Sequence, residues 1–336
     1  MLRSRNALVV LVAALCAIGG AVYVVIAALG ARGEPPAATL SGSAKPAARL
    51  GPVAAGPAPK SVLVRAVDPQ RATLEGHLYR VDPASGGRPS AQKGPACLRF
   101  YEAGGHGLCL TVARSGVDFR ALVLDHGKVW HTMTLTGLPS RARVSPNGRL
   151  GAMTTFVTGD SYTTPGQFST RTTILDLVKG RPIADLEKFA VTKDGTRIHN
   201  PDFNFWGVTF ARDSDEFYAT LATGGHRYLV HGRVSRRAVE VVHDNVECPS
   251  LSPDGTRIAY KRRDGKPWRW RLHVLDLRTG ADVALSERRP VDDQAEWLDN
   301  RRLLYGIGVD VWVVPADGSG RPQRFLANAA SPSTQR

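Results

Sequence analysis

Leu251-Ser-Pro-Asp-Gly-Thr-Arg-Ile-Ala-Tyr260 reads as the end of one strand, a tight turn and the start of the next. Pro253 fixes its own φ, Asp254 can cap the turn through its carboxylate, and Gly255 tolerates positive φ. Ile258 and Tyr260 then alternate with Arg257 and Ala259, which is strand spacing. A lone hairpin cannot bury its apolar face, so the fold turns on whether the chain repeats this unit.

It does. Val144-Ser-Pro-Asn-Gly-Arg-Leu150 carries Asn147 where Asp254 stands, Phe210-Ala-Arg-Asp-Ser-Asp-Glu-Phe-Tyr-Ala219 keeps Asp213, and Trp297-Leu-Asp-Asn-Arg-Arg-Leu-Leu-Tyr305 keeps Asp299. Asp213 to Asp254 is 41 residues and Asp254 to Asp299 is 45, whereas Asn147 to Asp213 is 66, which marks an insertion in that unit. Between the hairpins a second element recurs. Leu272-His-Val-Leu-Asp-Leu-Arg-Thr-Gly280 is a strand ending in a turn, with echoes at 78–86, 121–127, 173–180, 227–232 and 311–318. A period of roughly 40–45 residues with about four short strands per unit is the signature of a propeller blade.

These residues resemble the TolB-type propeller repeat, a relative of the WD-type repeat, marked by a Ser-Pro-Asp-Gly turn, an apolar strand and then Leu-Asp-Leu-x-Thr-Gly. The match is strongest over 248–285 and extends over 144–180. The resemblance implies an all-β propeller and no single activity, because such propellers occur in translocation proteins, sensors and peptidase accessory domains. Six recurrences of the second element predict six four-stranded blades. Lys193-Asp-Gly-Thr-Arg-Ile198 partly echoes the turn and would make seven if it headed a blade of its own. Residues 61–328 form the expected propeller. Its first blade, from Ser61, is expected to be closed by the hairpin after Asp299 and the strand at 311–314. Residues 329–336 read as a polar tail.

The chain has 336 residues, 43% hydrophobic, with 34 Gly and 22 Pro, enough for one large β domain with many turns. Residues 1–30 read as a signal anchor. Arg3 and Arg5 precede an uncharged run from Ala7 to Leu29, longer than the ~7–15 apolar residues of a cleaved signal. The arginines stay inside, which places the remainder outside the cytoplasm. The alternative is secretion after cleavage near 28–30. Cys16 reads as a membrane-facing thiol. Residues 31–60, rich in Ala, Pro and Gly, read as a disordered stalk. No α/β domain precedes the propeller, a departure from TolB proteins.

In an exported domain Cys97 and Cys109, equidistant from Ala103, are a disulfide or two buried thiols. Cys248 reads as a small buried residue. The candidate partner contacts are Asp160, Tyr162 and Phe168 in the aperiodic insertion at 156–173, and Phe203 and Trp206 in the aromatic-rich stretch 202–210. The sequence has no Gly-x-Ser-x-Gly elbow, C-x-x-C pair, H-E-x-x-H or phosphate-cradling loop. His126 and His131, like His226 and His231, are five apart and would fall on opposite strand faces. Asp176, Asp254 and Asp276 are repeat positions and read as turn caps.

The net charge is +14. Its basic clusters (236–237, 261–263, 288–289 and 301–302) fall in or beside expected turns, which favours anionic partners such as wall polymers or lipid headgroups. No aromatic-interleaved basic patch suggests nucleic acid. The expected function is a membrane-anchored extracytoplasmic binding module of the cell envelope. Its partner would be an envelope protein or an anionic wall polymer, with no cofactor, metal or catalytic residue. The alternative is a propeller enzyme or small-ligand binder with its site in the central channel.

Overall fold

A computed structural model describes residues 50–51, 53–67, 75–84, 89–113, 115–116, 118–157, 169–265 and 269–336. The expected anchor, Cys16 and most of the stalk lie outside the described residues. Among the described residues no helix is long and apolar enough to cross a membrane.

The strands form six sheets, each a blade built on four antiparallel strands. Their first strands touch one another in ring order and surround a central channel. These inner strands are Ala329–Gln335 in blade 1, Arg99–Ala103 in blade 2, Leu138–Val144 in blade 3, Asn204–Phe210 in blade 4, Glu247–Leu251 in blade 5 and Glu296–Asp299 in blade 6. The quoted hairpins each join an inner strand to the second strand of the same blade. The six Leu-Asp-type recurrences are the third strands.

Both faces of these blades are buried, which is why the third strands read as nearly continuous apolar runs. Alternation sorts the two faces. Val62 and Val64 pack toward blade 6 while Leu63 packs toward blade 2. Ile258, Tyr260 and Leu275 pack toward blade 4, and Ala259, Leu272 and Val274 toward blade 6. Six apolar clusters result, one in each interface between neighbouring blades.

The ring closes differently from the sequence expectation. The strand over 311–314 is the third strand of blade 6, within Asp310–Pro315. The closing strand is Ala329–Gln335, most of the stretch read as a polar tail, which pairs antiparallel with Ser61–Ala66 as the inner strand of blade 1. Its small hydroxyl-rich residues suit the crowded ring of inner strands, so low hydrophobicity does not signal a tail there. The Lys193–Arg197 hairpin exists but makes no seventh blade. Ala190–Lys193 pairs in parallel with the outer strand of blade 4, and Thr196–Ile198 extends it, giving that sheet six strands. Blade 3 contains the other insertion, as the connection between its second and third strands.

The end of the expected stalk is fixed to the propeller. Ala55 and Val53 accept hydrogen bonds from Asn300 N–H (2.9 Å) and Arg301 Nε (2.8 Å), and Leu50 packs against the blade 5–6 cluster.

Cys97 and Cys109 are disulfide-bonded, with Cα atoms 5.4 Å apart. They are not directly opposite. The hairpin turns at Gly104-Gly105, so Cys109 faces Phe100, and Cys97 reaches it from the segment entering blade 2. Both lie in the blade 1–2 cluster. The bridge spans 12 residues, and loop-closure entropy puts its contribution near 3 kcal/mol. Replacing both cysteines by alanine is expected to lower the unfolding free energy by about that amount, measured by denaturant unfolding without reductant. The third described cysteine, Cys248, is free and buried.

Candidate functional site

The signature turn organises one face of the disc. Ser252 Oγ donates to Asp254 Oδ1 at 2.5 Å, the same oxygen accepts Thr256 N–H at 3.1 Å, and Gly255 N–H closes the turn on Ser252 O at 2.8 Å. Gly255 has φ +75°. Blade 3 repeats the pattern, with Ser145 Oγ on Asn147 Oδ1 at 2.9 Å and Gly148 N–H on Ser145 O at 2.8 Å. Burial opposes ionisation of Asp254, but the bonds from Ser252 and Thr256 prevail and hold its carboxyl below the usual range. Asp276, Asp213 and Asp176 likewise accept from turn backbone N–H groups at 2.8, 2.9 and 2.9 Å.

All turns between inner and second strands lie at one end of the channel, and there they rim a cavity of about 900 Å³. Two of them meet backbone to backbone. A Cβ on Gly104 (φ +56°) would stand 2.5 Å from the backbone of Asn147, so the rim between blades 2 and 3 has no room for a side chain there. Every inner strand contributes to the walls: Tyr101 and Ala103, Arg143 and Val144, Thr209 and Phe210, Ser250 and Leu251, Glu296 and Trp297, Thr334 and Gln335. Pro57, from the fixed end of the stalk, also lines the mouth.

An inner strand has a backbone edge turned toward the channel, and those groups need partners. Side chains of neighbouring blades supply them. Ser333 Oγ accepts Glu102 N–H at 3.1 Å and donates to Glu102 O at 2.7 Å. Thr209 Oγ1 accepts Leu251 N–H at 3.1 Å, and Trp297 Nε1 donates to Ser250 O at 2.8 Å. Gln294 Nε2 bridges Pro249 O (2.7 Å) and Val208 O (3.2 Å). Ser333, Ser250 and Thr209 hold equivalent places, each just after a bulge whose first residue has positive φ: Ser331 at 50°, Cys248 at 52° and Gly207 at 65°.

At the cavity floor Arg143, Glu296 and Tyr101 form a diaphragm. Arg143 Nη1 binds Glu296 Oε2 at 2.6 Å, Tyr101 Oη donates to the same carboxylate at 3.1 Å, and Thr334 Oγ1 donates to Oε1 at 2.6 Å. The Arg143 guanidinium stacks 4.4 Å from the Tyr101 ring centroid. Burial, then the Glu296 charge, pushes the Tyr101 hydroxyl far above its ordinary range, so it remains a donor. Burial disfavours charge on Arg143, but Tyr101 and Glu296 outweigh it and raise the guanidinium further. Tyr101 and Arg143 also line a much smaller recess on the other side of this layer.

The sequence candidates fall elsewhere. Asp160, Tyr162 and Phe168 lie outside the described residues. Phe203 packs beside the blade 3–4 cluster, edge-on to Phe205 and His199. Phe205 is fully buried. Trp206 is half-buried on the inner strand of blade 4, before the bulge, and lines no part of the cavity. The basic clusters are largely engaged within the molecule. Lys261 binds Asp292, Arg262 binds Asp282, Arg263 binds Glu247, Arg289 binds Glu287 and Arg302 binds Asp299. Among the described residues no group of three or more His, Cys, Asp or Glu could hold a metal ion.

No family profile and no curated protein matches the sequence. Among solved structures, a chain of a nidogen/laminin complex superposes with a TM-score of 0.52 at 10% identity, covering 81% of this chain and 97% of that one. A protein assigned as TolB from Agrobacterium tumefaciens matches with a TM-score of 0.46 at 12% identity, covering 82% and 92%. Hydrazine synthase of Kuenenia stuttgartiensis gives 0.45 at 13% identity, covering 72% and 71%. At these identities the likeness speaks to fold. With the strand order it defines a six-bladed β-propeller.

Proposed function

We propose that this propeller is a binding module, held at the outer face of a membrane by residues 1–30, whose recognition site is the floored cavity at the signature-turn face. One observation carries the reading: a single cavity of about 900 Å³, walled by all six inner strands and closed below by the Arg143–Glu296–Tyr101 layer. That is the size and form of a ligand site. Glu296 is occupied by Arg143, Tyr101 and Thr334, which favours a structural carboxylate over a catalytic one. Charged groups of both signs line the cavity, with Arg143, Arg212 and Arg336 against Asp213, Glu216, Asp254 and Glu296. This balance favours a polypeptide segment of an envelope partner over an anionic wall polymer.

The test uses the full chain in its native membrane. A photo-crosslinking residue at Pro146 or Pro253, on the rim, is expected to give a discrete protein adduct that persists at high salt. The same residue at Val309, at the opposite face, should not. Adducts equal from both faces, or only a salt-labile polymer, would overturn the cavity reading. Extraction of the protein from membranes by alkaline carbonate would overturn the anchor.

A further inference from the structure

The smaller recess beneath the diaphragm is lined chiefly by Arg99, Phe100, Arg141, Asp293, Ser331 and Pro332. Arg99 opens the inner strand of blade 2. Arg141 follows the bulge in the inner strand of blade 3, and Ser331 starts the bulge of blade 1. Bulges re-aim side chains, and these bring two guanidinium groups and a hydroxyl to one opening.

Two of the three have no partner there, and Arg141 is satisfied only in part. Arg99 has no hydrogen-bond or ion-pair partner among the described residues, and neither has the Ser331 hydroxyl. Arg141 donates from Nη1 to the carbonyl of its own neighbour, Ser140, at 3.0 Å. Its closest carboxylate, Asp292, is 3.9 Å away and is bound by Lys261 at 2.6 Å. Arg141 Nε is buried with no partner, an arrangement that costs free energy until an acceptor arrives. Asp293 accepts the Gln294 N–H at 2.9 Å and forms no ion pair with either arginine. Arg99, Arg141 and Lys261 against Asp292 and Asp293 leave the recess positive. Burial, then repulsion from Arg141, holds the Arg99 guanidinium below its ordinary range.

We propose that Arg99 and Arg141 form an oxyanion site, taking a phosphate or carboxylate group at the end of the channel opposite the large cavity. The planar guanidinium matches such groups in geometry and charge. The recess holds only about 30 Å³, room for roughly one water-sized atom group. One oxygen would enter and the remainder of the group would stay at the mouth, so the ligand presents its anion at a terminus.

The test is thermal unfolding of the full chain in inorganic phosphate or in acetate, against chloride at equal ionic strength. A ligand that binds only the folded form raises the midpoint progressively with concentration. The expected result is such a rise with at least one oxyanion. Phosphate alone would identify a phosphate ester, and acetate alone a carboxylate. Arg99→Gln should abolish the rise and Arg99→Lys retain part of it, while Arg278→Gln, on an exposed turn of blade 5, leaves it intact. Arg99 is half-buried, so its variants test the site without removing the more enclosed Arg141. No rise above chloride with either anion, or an undiminished rise in Arg99→Gln, would overturn the proposal.

Discussion

Glu296→Ala is expected to lower the unfolding free energy by about 3–5 kcal/mol, the range for removing one partner of a buried ion pair. The side chains of Arg143 and Glu296 are 7% and 6% exposed, so the orphaned guanidinium cannot turn to solvent. The loss extends beyond the pair, because Tyr101 Oη, Thr334 Oγ1 and Thr334 N–H all give up the same acceptor. Arg143→Met combined with Glu296→Leu should recover the part of the loss that comes from the unpaired charge, while Tyr101 Oη and Thr334 stay without their acceptor. Denaturant unfolding of the single and double variants measures this directly. A loss under 1 kcal/mol for Glu296→Ala would mean the diaphragm is wetter than its burial indicates. The double variant also separates stability from function: a refolded propeller with an apolar floor should crosslink its partner less if the floor contributes to recognition.

Removal of residues 329–336 should have the larger effect, loss of the folded ring. The strand Ala329–Gln335 pairs along Ser61–Ala66, and Val62, Leu63 and Val64 are each at most 2% exposed. Without it blade 1 has an open inner edge, and a long unpaired apolar strand invites aggregation. Two ties across the ring vanish as well, Ser333 to Glu102 at 2.7 Å and Thr334 to Glu296 at 2.6 Å. The truncated chain is expected to show no cooperative thermal transition and to elute as aggregate in size-exclusion chromatography. A sharp transition near that of the intact protein would show that the ring closes by other contacts.

The fold was legible where chemistry is local. The Ser252–Gly255 turn holds itself together through its own hydroxyl, carboxylate and glycine, so its residues are fixed by their immediate neighbours. The third strands were legible because burial on both faces enforces an apolar run, as in Leu272-His-Val-Leu-Asp276. The closing strand was not, because Ala-Ala-Ser-Pro-Ser-Thr-Gln335 answers to the hydrogen-bonding needs of adjacent inner strands and not to apolar burial. A faint signal existed in Gly207-Val-Thr209, Cys248-Pro-Ser250 and Ser331-Pro-Ser333, three copies of a bulge followed by a hydroxyl. The site itself left no such trace. Arg143 and Glu296 are 153 residues apart and Tyr101 and Glu296 are 195 apart, and each is the sole member of its blade in the layer. Phe203 and Trp206 stand out in an aromatic-rich stretch, but most of that stretch is the inner strand Asn204–Phe210, and Phe203 packs beside the blade 3–4 cluster.

The ring's seam also sets a timetable. Residue 61 leaves the ribosome 274 residues before its partner Gln335, as the difference between their numbers shows, an interval of tens of seconds at ordinary synthesis rates of roughly 5–20 residues per second. Throughout it the first blade lacks the strand that completes it, and the disc cannot close on a partial chain. The chain therefore stays open until the strand Ala329–Gln335 has been made, and only then can the first blade be completed and the ring close.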